Sequence, residues 1–217
     1  MSPRHSLAEA ARTRDRIVGY AVAEASRVGL EGLTIGTLAD GLGMSKSGIL
    51  GPFGSRERLQ IEALDRAGGI FRAAVTEPLK GLPHGADRLA RLIDAWIGYL
   101  ADCPFPGGCF VTAASTEFDG RPGPLRDHLR TVVTAWRSRL TDEIAAARVE
   151  SAHRPPDETA TALIGIAMAV NQEIQLLDDP GAAARGRSAM RAAAGLPRQH
   201  PEHVPGHRGP ADHSLTE

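Results

Sequence analysis

Apolar side chains recur along this chain at spacings of three and four residues. Ile17, Ala21, Ala25 and Val28 share one face of a helix predicted over residues 12–28, and Gly29 ends it as a residue free to turn left-handed. Thr34, Ser45 and Ser55 each stand just before a helical run, where a side-chain oxygen can accept one of the free N–H groups of a helix start. They predict a short helix ending at Gly43, a second near residues 46–51, and a longer one running from residue 56 to residue 75 or 77, with Pro78 as its stop. Further helices are predicted near 86–102, 109–118, 124–151, 157–177 and 182–194, separated by Pro- and Gly-rich breaks. Strict period-two alternation is missing and β-branched clusters are few, so strands have little support. The fold class is all-α.

Composition narrows this picture. The chain has 217 residues, 42% of them apolar, which is enough for a real core. The net charge of −1 advertises no nucleic-acid binder, but residues 12–58 carry +2 while the rest is acidic on balance. Only Lys46 and Lys80 are lysines, and Lys46 opens one of the short helices. Two cysteines, Cys103 and Cys109, rule out a disulfide-stapled scaffold. They sit six apart across a Pro-Gly loop, a poor spacing for a metal or redox pair. No uninterrupted apolar stretch reaches a membrane span and no secretory signal is visible, so a cytoplasmic protein without membrane association is expected. Residues 1–11 read as a flexible basic arm. Residues 196–217, rich in Pro and His and poor in apolar side chains, read as a disordered tail.

Residues 34–53 are the informative stretch. Two short helices meet at Leu42-Gly43-Met44-Ser45, with small Ala39 at the crossing and Gly43 permitting the turn. Leu38, Leu42, Ile49 and Leu50 are spaced to pack them together, a helix-turn-helix whose second helix can enter a major groove. Residues 12–64 resemble the DNA-binding domain of the TetR family of bacterial transcriptional regulators. The resemblance lies in Thr13-Arg14-Asp15-Arg16-Ile17, Gly29 and Gly32 before Thr34, Leu38-Ala39, Leu42-Gly43-Met44-Ser45-Lys46-Ser47-Gly48, and Phe53 with Ser55-Arg56-Glu57-Arg58-Leu59. Gly107-Gly108-Cys109-Phe110 and the run from Glu117 to Pro124 resemble a subgroup of the same regulators. Three positions depart from the family pattern. Leu50 stands where a phosphate-contacting tyrosine is usual, Pro52 where a histidine often precedes the phenylalanine, and Gly36 where a longer polar residue is common. Thr34, Ser45, Lys46, Ser47 and Arg14 are left as the DNA-contacting set.

The resemblance implies a DNA-binding domain over residues 12–72 and a ligand-binding and dimerisation bundle over 73–195. Trp96, Phe110, Phe118, Trp136 and Met168, with Glu117, Asn171 and Gln172 as polar groups, are candidates for an effector pocket. For each aromatic, plain core packing is the competing reading. Residues 160–170 are apolar nearly all round, which suggests cover by a second subunit. No nucleophile–base pair, phosphate loop or metal-binding helix motif stands out, so neither enzyme activity nor a metal or cofactor is expected. The expected function is a ligand-responsive repressor that binds a palindromic operator as a homodimer. The alternative is a ligand- or protein-binding dimer that has lost specific DNA binding.

Overall fold

The structure is a computed structural model of the chain and describes residues 3–102, 104–149 and 154–197, with side chains from residue 7 onward. Every regular element among the described residues is helical: α1 (Pro3–Gly32), α2 (Ile35–Leu42), α3 (Lys46–Leu50), α4 (Arg56–Phe71), α5 (Ala86–Asp102), α6 (Phe110–Phe118), α7 (Pro124–Ala147), α8 (Pro156–Leu177) and α9 (Ala182–Ala193). All three predicted caps form. Thr34 accepts from the Thr37 N–H while the Thr37 hydroxyl faces back, Ser45 accepts from Gly48 N–H at 3.0 Å, and Ser55 accepts from Arg58 N–H at 3.2 Å. Each such cap is worth about 1 kcal/mol. Gly43 turns left-handed at φ 63°, and the Met44 N–H returns to the Ala39 carbonyl at 3.0 Å.

Ile17, Ala21 and Ala25 are buried as their spacing predicts, but Val28 is half exposed, because the chain breaks at Gly29 (φ 78°, ψ 163°) and turns away. The expected arm is a correction: residues 3–11 are the first turns of α1. Helix α4 keeps α-winding only to Phe71. It then widens into a π-turn (Arg72–Thr76) and tightens into a 3₁₀ turn (Glu77–Leu79) at Pro78. Helix α7 stops at Ala147 with Arg148 left-handed, short of the expected residue 151. Two residues expected in the tail are ordered against α9: Leu196 is buried, and the Pro197 carbonyl accepts from Arg191 Nε at 3.1 Å. The rest of the tail and Cys103 lie outside the described residues.

Helices α1 to α4 form one end of the molecule, with α4 packed along α1 and continuing toward α5 and α7. Helices α5 to α9 form the larger bundle, in which α8 packs on α7 and α9. Arg88 on α5 is a strut between its parts. It bonds both Glu143 oxygens on α7 at 2.8 Å and the Leu79 and Leu82 carbonyls at 2.5 and 2.9 Å. The Arg88 hydrogen bonds hold the buried Glu143 carboxyl below its ordinary value, against the opposing effect of burial. Among the described residues one helix, α8, is long and apolar enough to cross a membrane by length and composition, though polar residues such as Asn171, Gln172 and Glu173 interrupt it. Its side bearing Gly165, Met168, Ala169, Gln172 and Leu176 is exposed in the single chain.

Candidate nucleic-acid interface and effector region

The turn chemistry of α2 and α3 sets the reading head. Ile49, Leu38 and Phe53 are buried beneath it, and α2 packs on both α3 and α1. Above them Ser45, Lys46 and Ser47 are exposed in succession, with the Ser45 and Ser47 hydroxyls 3.1 Å apart. Thr34, also exposed, lies beside them across Gly36: a β-carbon at residue 36 would stand 3.6 Å from Thr34 Oγ1 and 4.0 Å from Lys46 Cε. Four of the five expected contact residues therefore share one surface. Gly36 also leaves the start of α2 low enough for the lysine stem to lie across it.

Arg14 is not among them. Its guanidinium pairs with Glu62 on α4, donates to the Pro52 carbonyl and lies 4.7 Å from the centre of the Phe53 ring. It ties α1, the break after α3 and α4 into one body. The Pro52 contact uses a main-chain carbonyl that any residue there would supply, so it does not depend on proline. Leu50 is half-buried.

The eight expected pocket residues do not gather in one place. Trp96 and Trp136 pack edge-to-face at 4.9 Å, and Phe71 and Tyr99, absent from the expected set, complete the cluster at 4.9–6.4 Å. Phe71 is the last α-wound residue of α4, directly before the π-turn. Phe110 packs against Phe105, and Phe118 lies under Arg121. Met168 and Gln172 are corrections: both face outward on the open side of α8. Asn171 and Glu117 are corrections as well. Asn171 Oδ1 accepts from the Cys109 N–H at 2.8 Å, and the Glu117 carboxylate accepts from the Leu30 and Glu31 N–H groups at 2.9 and 2.8 Å. The crevice between α1 and α6 that Glu117 borders measures about 10 Å³, room for about one water.

Residues 85–190 match the family model described as tetracyclin repressor-like, C-terminal domain. A TetR transcriptional regulator from Chloroflexus aurantiacus J-10-FL is similar in structure, with a TM-score of 0.73 and 25% identity, over 86% of this chain and 94% of that one. The fold is that of the TetR family of transcriptional regulators. A TetR-family regulator from Cytophaga hutchinsonii shares the fold at 18% identity, with a TM-score of 0.72 over 86% of this chain and 94% of that one. So does AibR, solved with isovaleryl coenzyme A and operator DNA, at 16% identity and a TM-score of 0.68 over 85% of this chain and 97% of that one. No curated protein matches the chain in sequence. The TetR-family fold and the C-terminal match support a DNA-binding transcriptional regulator and not an enzyme.

The middle of α4 is fastened to both α1 and α7. Besides Arg14–Glu62, Arg66 meets Asp15 on α1 at 2.5 Å, and Asp65 meets His128 on α7 at 2.7 Å. These pairs are largely exposed and contribute little stability each. Their geometry matters more: one helix carries the reading head at its start and Phe71 of the aromatic cluster at its end.

Proposed function

We propose that the chain is a ligand-responsive repressor that binds a palindromic operator as a homodimer in the cytoplasm. The observation that carries this reading is the shared exposed surface of Thr34, Ser45, Lys46 and Ser47 on a well-capped helix-turn-helix. Lys46 contacts a phosphate or a guanine edge, and the three hydroxyls contact the backbone. A second copy covers the open side of α8, together with the Ala184, Ala189 and Ala192 side of α9. Small residues there allow close approach of four helices, and a two-fold axis supplies two reading heads for an inverted repeat. This cover, rather than lipid, accounts for the apolar length of α8.

The effector acts at the Phe71–Trp96–Tyr99–Trp136 cluster. A ligand that separates these rings displaces the end of α4, and the ion pairs to α1 pass the shift to the reading heads. It moves the equilibrium only by its differential affinity for the two forms. Selection of the purified protein on random duplex DNA at near-physiological salt tests the reading. Enrichment of an inverted repeat with half-sites about one helical turn apart supports it. A folded dimer that enriches nothing favours the alternative of a dimer without specific DNA binding.

A further inference from the structure

The sequence singles out Gly107-Gly108-Cys109 and Glu117, and the structure brings them to one place, the broken end of α1. At Gly107 a β-carbon would stand 1.7 Å from the Ser26 carbonyl oxygen, so only glycine lets this turn lie against α1. The Gly107 N–H also donates to Ser26 Oγ at 3.3 Å. Gly108 is left-handed at φ 81°, and a β-carbon there would stand 2.7 Å from Asn171 Oδ1 on α8. The same Asn171 oxygen accepts from the Cys109 N–H at 2.8 Å. The turn is thus keyed between α1 and α8 with no room for a side chain on either glycine.

A few residues further along α1 the chain breaks at Gly29, and the exposed peptide groups are taken up from two sides. Glu117 on α6 accepts the Leu30 and Glu31 N–H groups. From α4, Gln60 Nε2 donates to the Leu30 carbonyl at 2.5 Å and Arg56 Nε to the Leu33 carbonyl at 2.8 Å. A helix end left without partners would be free to swing. Here its donors go to α6 and its acceptors to α4.

We infer that Asn171 and Glu117 are positioning residues for DNA binding: through the glycine turn and the broken end of α1 they fix the angle of the reading head to α8. This rests on the DNA-binding reading and on the inverted repeat proposed above. The path runs from Asn171 on α8 through the glycine turn to α1 without passing through the aromatic cluster. It sets the separation of the two heads, while the end of α4 is the part a ligand displaces. Neither residue touches DNA, so their loss alters which spacings are accepted rather than the strength of every contact.

The test compares the full-length protein with Asn171→Ala, Asn171→Asp, Glu117→Ala and Glu117→Gln. Each binds the inverted repeat enriched by the parent protein and versions with one base pair added to or removed from the spacer. Hydrogen exchange at the Leu30, Glu31 and Cys109 amides reports the joint directly, and circular dichroism reports folding. The inference predicts that both alanine variants fold and lose about tenfold of the preference for the original spacer. Asn171→Asp, which keeps an acceptor oxygen for Cys109, retains the preference, and Glu117→Gln is intermediate. If an alanine variant fails to fold, the aspartate and glutamine variants carry the comparison. Faster exchange at Leu30 and Glu31 with unchanged spacer preference overturns the inference and leaves DNA binding standing. A uniform loss of affinity for all spacers also overturns it, since that is the mark of a merely structural role. If the parent protein enriches no duplex, the DNA reading itself fails, and that appears before any variant is compared.

Discussion

Arg14 on α1 and Glu62 on α4 form a two-pronged ion pair, with Nε 3.0 Å from Oε2 and the second prong between Nη2 and Oε1. The pair uses up a cation that the sequence offers to DNA. Arg14→Ala is therefore expected to act on stability, costing about 1–2 kcal/mol through the lost charged hydrogen bonds and ring contact. Its effect on the salt dependence of DNA binding is expected to be small. Lys46→Ala should show the opposite pattern, with stability within about 0.5 kcal/mol of the parent and a salt slope shallower by about one. Thermal melts and binding titrations across salt separate the two.

The Tyr20 hydroxyl stands only 2.0 Å from where a β-carbon on residue 41 would be. Ordinary helix propensity favours alanine over glycine by about 1 kcal/mol, which would make Gly41→Ala stabilising. The close approach of Tyr20 reverses that sign. The substitution is expected to destabilise the protein by about 1–3 kcal/mol, as overpacking does. Pairing it with Tyr20→Phe, which removes the colliding oxygen, should recover part of the loss in a denaturant titration.

Glu143 gives the fold an acid-sensitive point. Its carboxyl titrates below the ordinary 4.5 because Arg88 donates to it. A group with a lowered folded value contributes stability that is fully present above the unfolded value and is lost as pH falls through the folded one. At neutral pH Glu143→Gln should cost about 3–5 kcal/mol, the usual scale for leaving one member of a buried pair uncompensated. The gap between the two proteins should narrow as pH drops below 4.5. Melting temperatures measured from pH 7 to pH 3 check both the size and the direction.

The open side of α8 yields a prediction about assembly. Ala169→Glu places a charge in the proposed two-fold contact without touching the core of the single chain, since Ala169 is exposed. Sedimentation should then show a monomer with unchanged helix content. Affinity for an inverted repeat should fall toward that of a single half-site. A dimer that persists would move the contact elsewhere.

Local chemistry was legible in the sequence and distant chemistry was not. Thr34, Ser45 and Ser55 cap their helices through partners three residues away, so spacing alone identifies them. Gly43 likewise announces its turn. Arg14 and Glu117 were misread because their partners lie 48 and 87 positions off along the chain. A cation on the first helix of a reading head looks free until α4 is laid beside it. A carboxylate between apolar residues looks like a pocket group until the break at Gly29 presents two bare N–H groups to it. Val28 was misplaced for the same reason, since the helical period ends at the break. Phe71 was missed because it falls at the change from α to π winding, where the apolar period slips. The Gly107-Gly108 pair was visible as a motif. Its purpose needed the Ser26 carbonyl and Asn171 in place.

The central claim is that Thr34, Ser45, Lys46 and Ser47 form the surface that contacts operator DNA. The most direct test is the affinity of the full-length protein for its enriched inverted repeat against a scrambled duplex of equal length, with Lys46→Ala beside it. The account predicts a preference of about 10³-fold or more at near-physiological salt, with both the preference and the affinity reduced in the variant. Equal affinity for both duplexes, unchanged by Lys46→Ala, would contradict it.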